Sequence, residues 1–185
     1  MPAANARTRA TSARKAAKAP KLSRTHAPAD LSLLDWQRGL RRQFGREQAF
    51  GLENLGSEAF FSDFRVSNPQ SKSAYRVAIR GRQPGENFCE CRDYATNELG
   101  TCKHIEFVLA ALEKRRGFKA AMARGYRPPF SEIYLRNDGG RSIHFRPGAD
   151  CPAAVDGAAR AIFTADDGWR MAPERFDTLP RFLAL

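Results

Sequence analysis

Three cysteines and a histidine share one short stretch, as Cys89-Glu90-Cys91, ten intervening residues, and Cys102-Lys103-His104. Thiolate sulfur and imidazole nitrogen are the donors of structural zinc. That ion takes four of them in a tetrahedron, with sulfur at ~2.3 Å and nitrogen at ~2.0–2.1 Å. Four protein ligands leave no position open for water, so the pattern predicts one structural Zn2+ and not a catalytic one. A disulfide framework suits a small secreted chain with spread cysteines. Here the cysteines cluster, and the fourth, Cys151, stands alone as an expected free thiol.

Two residues apart on an extended segment, Cys89 and Cys91 face the same way, so a strand can offer both thiolates to one ion. A regular helix would splay Cys102 from His104. They converge if Cys102 lies in the turn before a helix and His104 in its first turn. Thr101 is the expected cap, followed by Glu106 and an apolar run. Asn97-Glu98-Leu99-Gly100 reads as a turn in which Gly100 takes positive φ.

The stretch resembles the SWIM zinc finger, whose pattern is Cys-x-Cys, a variable gap, then Cys-x-His. The wording is closest to the finger of bacterial Swi/Snf-type helicases and ATPases, through Cys89, Cys91, Asp93, Tyr94, Asn97, Leu99, Gly100, Thr101, Cys102, Lys103, His104, Ile105 and Glu106. The resemblance is specific over about 30 residues. It implies a zinc-binding ββα unit that contacts DNA or protein, with Cys89, Cys91, Cys102 and His104 as ligands. It does not imply catalysis. The chain carries no Gly-x-x-x-x-Gly-Lys-Ser/Thr loop, Ser/His/Asp triad or paired-acid motif, so no enzyme activity is expected.

The elements that must position these ligands follow from the rest of the 185 residues. The expected class is α+β: a small antiparallel sheet with the ββα finger, flanking helices, an additional β-hairpin and a disordered basic N-terminal arm. Residues 1–29 hold seven of the 31 Lys and Arg and no acid, which leaves 24 basic against 20 acidic residues elsewhere. Without apolar periodicity this arm cannot offset the entropy of ordering. It has no continuous apolar run, against a secretory signal or membrane anchor. An organelle transit peptide shares its composition. Such an arm attracts phosphates or serves as a solvated tail. His26 lies in it and is not expected to bind metal.

Residues 30–128 form the expected central domain, with the finger at about 75–116. A helix from Leu31 to Phe44 is expected, capped by Asp30, buried through Leu33, Trp36, Leu40 and Phe44, and stopped at Gly45. Arg38, Arg41 and Arg42 lie off its stripe and read as a solvated face. Residues 46–58 read as irregular. Alternation predicts strands over Phe60–Val66 and Tyr75–Ile79, with Arg76 and Arg80 as a basic face on an exposed edge. Pro84-Gly85 turns the chain into the cysteine strand. After the knuckle, Ile105, Val108, Leu109 and Leu112 form a core-facing helix stripe. Residues 129–185 hold a hairpin around Asp138-Gly139-Gly140, with His144 at the surface, then a helix over Ala153–Phe163 and a short one near Pro173–Leu179. The apolar ending Phe182-Leu183-Ala184-Leu185 is expected to dock on something.

Lys103, Lys114, Arg115, Arg116, Lys119 and Arg124, with Arg127 following, make the strongest basic cluster of the folded part and are the candidate nucleic-acid contacts. The functional expectation is a zinc-binding module for DNA or protein interaction, accessory to a Swi/Snf-type ATPase. It would be cytoplasmic, with nucleoid association. The alternative is a protein–protein adaptor without nucleic-acid contact. The chain is then a free-standing accessory or the front piece of a longer protein.

Overall fold

The computed structural model describes residues 21–185. The fold is α+β, with two four-stranded antiparallel sheets. The expected arm lies, for residues 1–20, outside the described residues. Residues 21–26 are placed against the first helix: Leu22 N donates to Gln43 Oε1 at 2.7 Å, and Trp36 Nε1 donates to Ser23 O at 2.9 Å.

Helix α1 spans Leu33–Glu47. Its cap is Ser32 instead of Asp30. The Ser32 hydroxyl accepts from Asp35 N at 3.0 Å and donates to the Asp35 carboxylate at 2.7 Å, satisfying a donor that the first turn leaves open. Leu33 is exposed and Trp36 buried. Gly45 does not stop the helix. It lies where α1 crosses a later helix, and a β-carbon there would fall 2.6 Å from the Lys103 carbonyl and 2.8 Å from Phe107 N.

The first sheet has the order β1 (Gly51–Asn54), β2 (Asp63–Asn68), β3 (Ser73–Ala78) and β4 (Phe88–Cys89). β1 lies in a segment expected to be irregular. Phe64 and Val66 of β2 and Val77 of β3 are fully buried, and Val77 pairs with Cys89. β3 runs between β2 and β4, so it is not an edge. Helix α2 (Arg92–Thr96) follows, then α3 (Lys103–Leu112) and α4 (Phe118–Arg124). Ile105, Val108, Leu109 and Leu112 of α3 cover the sheet's buried face together with Phe118.

The second sheet has the order β5 (Glu132–Asn137), β6 (Arg141–Arg146), β8 (Arg170–Met171) and β7 (Phe163–Thr164). The expected hairpin is therefore half of a larger sheet. Helix α5 (Ala153–Arg160) ends before its expected limit, and α6 (Leu179–Phe182) follows a 3-10 stretch over Pro173–Thr178. Phe145, Ala159, Phe163, Met171 and Phe182 form a second core, so Phe182 docks within this chain. His144 is buried, against the surface position expected for it. Its ring is held between Ser142 Oγ and Gly168 O, each at 2.9 Å.

The hairpin tip of β5 and β6 docks on the 97–101 loop. Gly139 N donates to Glu98 O at 2.7 Å, and Asn137 Nδ2 donates to Asn97 O at 2.6 Å. Gly100 lies in that contact with φ of +69°, and a β-carbon there would come within 2.5 Å of both Asn137 O and Gly85 N. Among the described residues no helix is long and apolar enough to cross a membrane.

Candidate metal centre and basic surface

Cys89 ends β4, the last pairing with β3. The ladder stops there, so the two thiols do not share a strand. The chain stays extended at Cys91, with φ −71° and ψ 151°. The alternation therefore persists, with Cys89 and Cys91 buried and Glu90 between them exposed. Cys91 then caps α2, its sulfur accepting from Tyr94 N at 3.4 Å. Cys102 is extended as the N-cap of α3, and His104 is the second residue of that helix. Thr101 does not cap α3; its hydroxyl donates to Glu106 Oε1 at 2.9 Å.

This arrangement brings one donor atom from each of Cys89, Cys91, Cys102 and His104 within 4.8 Å of the others. Cys89 Sγ and His104 Nδ1 are 3.8 Å apart. The edge of a tetrahedron with zinc–ligand lengths of ~2.0–2.3 Å is about 3.6 Å, so a small contraction closes the site on one ion. The four residues are 1%, 3%, 0% and 4% exposed, which excludes solvent as a ligand. The cluster can hold a metal ion, and its three soft sulfurs and one imidazole suit zinc.

The electrostatics agree with that donor set. The adjoining Cys102 and Cys89 thiols hold the Cys91 thiol far below the ordinary range. The Cys102 thiol is pushed well up by its contacts with Cys89 and then Cys91, with burial adding to them. Three crowded sulfurs cannot all ionise in a dry space unless a divalent cation is there to replace the protons they would otherwise share. Tyr94 is raised to about 12, first by burial and then by Cys102 and Cys89. Its neutral hydroxyl donates to Asn87 O at 2.6 Å. The His104 ring packs on Tyr75 at 4.8 Å and Phe50 at 5.3 Å between centroids.

A surrounding shell fixes the ligand-bearing loops. Asn97 Oδ1 accepts from Leu99 N at 2.8 Å, and Asn97 Nδ2 donates back to Asp93. Asp93 Oδ1 accepts from Arg41 at 2.9 Å, Arg42 meets Glu106 at 3.3 Å, and Arg38 Nε donates to Leu99 O at 2.9 Å while pairing with Asp138. Arg38, Arg41 and Arg42 are thus not a free solvated face but the clamp of α1 on the knuckle. A charged stripe at 38, 41, 42 and 46 repeats at helical spacing, and that is the signal which could have found it.

The candidate nucleic-acid contacts divide. Lys103 lies at the start of α3, its ammonium 5.3 Å from the Phe44 ring centroid. The ten residues of α3, at ~1.5 Å each, place it roughly 15 Å from Lys114. It therefore does not belong to the cluster expected from the sequence. Lys114, Arg115 and Arg116 are exposed in the turn between α3 and α4, and Lys119 and Arg124 are exposed on α4. Residues 114–127 carry six basic side chains and no acid. Among the described residues, no ion pair neutralises any of the six. Arg76 and Arg80 differ, because both bind Asp63, at 2.9 and 2.6 Å, and Arg76 also meets Glu90. Burial alone would raise the Asp63 carboxyl, but hydrogen bonds from Arg80 and Arg76 outweigh it and hold it low. The basic face expected there is spent on internal pairs.

Set against protein-family models, curated proteins and solved structures, the chain matches none of them.

Proposed function

We propose that this chain is a SWIM-type module in which Cys89, Cys91, Cys102 and His104 hold one structural zinc ion. In this reading the module binds DNA through the basic segment after α3, as an accessory to a Swi/Snf-type ATPase. The convergence of four buried soft donors within 4.8 Å supports the metal. The unneutralised Lys114, Arg115, Arg116, Lys119, Arg124 and Arg127 support the phosphate contact, because charges already paired with acids gain little from a phosphate. The ion would fix the start of α3, and α3 would in turn carry the basic turn at its far end.

The test is DNA binding by the zinc-loaded chain across a salt series. Affinity should fall steeply as salt rises. Replacing Lys114, Arg115 and Arg116 with Gln should flatten the slope by about two to three phosphate contacts, at ~0.9 per contact on duplex DNA. An unchanged slope removes the segment from the interface.

A protein adaptor is the second reading. It is favoured by the apolar side chains left outside on the C-terminal unit: Leu135, Phe176, Leu183 and Leu185 are each more than half exposed. Capture of an ATPase that survives nuclease treatment would select this reading.

A further inference from the structure

A cleft of about 610 Å³ runs between the two sheets, walled by the 80–86 turn, α4 and the face of β5 and β6. Its volume lies in the ordinary range of ligand sites, ~300–1,000 Å³. Its lining combines planar groups with charged ones: Arg80, Arg82 and Arg146 are paired with Asp63, Glu113 and Glu132, the Glu86 carboxylate lies there too, and among the described residues Lys119 has no acidic partner. The Arg146 guanidinium lies 4.2 Å from the Tyr134 ring centroid and 5.2 Å from that of Tyr126. Arg80 lies 4.9 Å from Tyr126, whose ring meets Phe61 at 5.6 Å. Trp169 completes the wall with φ of +58°, a conformation that bulky side chains rarely adopt. Such positions persist where the surroundings hold them and concentrate at ligand clamps.

We infer that this cleft binds one nucleic-acid strand, with bases against the Tyr126, Tyr134 and Trp169 wall and phosphates toward Lys119 and the basic residues beyond it. The inference rests on the reading of residues 114–127 as phosphate contacts and deepens it. Lys119 belongs to both features, because it lines the cleft and stands on the unneutralised segment. A concave site with Arg80 and Arg146 stacked on its tyrosines and the unpaired Lys119 in its lining fits a backbone whose bases are splayed onto aromatic or guanidinium planes. A stacked duplex offers no free base faces to such a wall. Stacking accepts every base, so recognition of the strand would be tolerant of sequence.

The experiment uses the zinc-loaded full chain with labelled oligo(dT), oligo(U) and a duplex of equal length, read by fluorescence anisotropy. Single strands should bind at least tenfold tighter than duplex, and the oligo(dT) and oligo(U) arms tell DNA from RNA. Tyr126→Ala should weaken single-strand binding about 5- to 100-fold, and Tyr126→Phe should restore it. Replacing Lys114, Arg115 and Arg116 should weaken all three ligands. Equal binding of strand and duplex, with Tyr126→Ala changing neither, overturns the cleft and leaves the basic segment standing. No binding of any ligand at low salt overturns both. If Tyr126→Ala fails to fold, photocrosslinking of the unaltered chain to iodouracil-substituted oligo(dT) decides. Adducts on Tyr126, Tyr134 or Trp169 support the cleft, and adducts confined elsewhere overturn it.

Discussion

Arg41 Nη2 donates to Asp93 Oδ1 at 2.9 Å and so ties α1 to the first turn of α2, two residues beyond a cluster cysteine. Both side chains are largely shielded from water, at 25% and 33% exposure. Removing the cation leaves Asp93 facing only Asn97, so the loss exceeds that of a surface ion pair. Arg41→Ala should destabilise the chain by ~1–3 kcal/mol. A double-mutant cycle with Asp93→Asn should return a coupling of at least ~0.5 kcal/mol. Urea denaturation of the four proteins measures it, and strictly additive losses would place the two residues in separate networks.

If Cys89, Cys91, Cys102 and His104 hold the proposed zinc, its removal should unfold the loops that carry them. Metal binding in small fingers is worth ~10–16 kcal/mol, against a whole-domain stability of ~5–15 kcal/mol. Elemental analysis of the purified chain should find one zinc per molecule, and Cys102→Ser should lower that content. A strong chelator should lower the melting temperature read by circular dichroism. A melt that chelation leaves unmoved would show that the four side chains hold no structural ion.

Gly45→Ala is the smallest change that presses on the crossing of α1 and α3. In an exposed helix, alanine would stabilise by up to ~1 kcal/mol. Here the added methyl meets the Lys103 carbonyl and Phe107 N, both backbone atoms that cannot swing aside. Overpacking of this kind costs ~1–3 kcal/mol, so the sign reverses. Lys103 is the residue between Cys102 and His104, so the same substitution should speed release of the proposed zinc to a chromogenic chelator. A variant as stable as the parent would mean that the two helices separate freely.

The residues that held this information in local pattern were readable before the fold was known. The Cys-x-Cys and Cys-x-His pairs, the stripe from Ile105 to Leu112 and the Asp138-Gly139-Gly140 turn each depend on neighbours a few positions away. What escaped was non-local or very short. β1 offers only Leu52 as an apolar residue and exists by pairing with β2. β7 and β8 have two residues each, and α2 has five, too few for any period to show. Gly45 has the residue type of a helix stop, and only the approach of α3 reveals why glycine stands there. His144 sits in a strand that reads as half exposed until β8 covers it through pairing with Arg170. Arginines 38, 41 and 42 read as solvated in the sequence because their acids, Asp138, Asp93 and Glu106, lie 52 to 100 residues away.

His144 makes the C-terminal unit sensitive to acid. Burial is the first cause that lowers its affinity for a proton, Arg136 and Arg170 act the same way, and the Gly168 carbonyl opposes them without prevailing. The neutral ring has a job, because Nδ1–H donates to Gly168 O while Nε2 accepts from Ser142. The native state therefore takes up this proton at lower pH than the unfolded chain, whose histidine titrates near 6.5. Above that pH both states are neutral and the full contribution is present. As pH falls below it, the unfolded state binds the proton first and stability declines until the native ring also protonates. Tryptophan fluorescence read in a Trp36→Phe background, which leaves Trp169 on this core as the reporter, should show a lower melting temperature at pH 5 than at pH 7.5. His144→Gln should remove that part of the difference while leaving any loss due to the metal cluster in place. An identical pH dependence in the variant and the parent would mean that His144 takes up its proton at the same pH in the native core as in the unfolded chain.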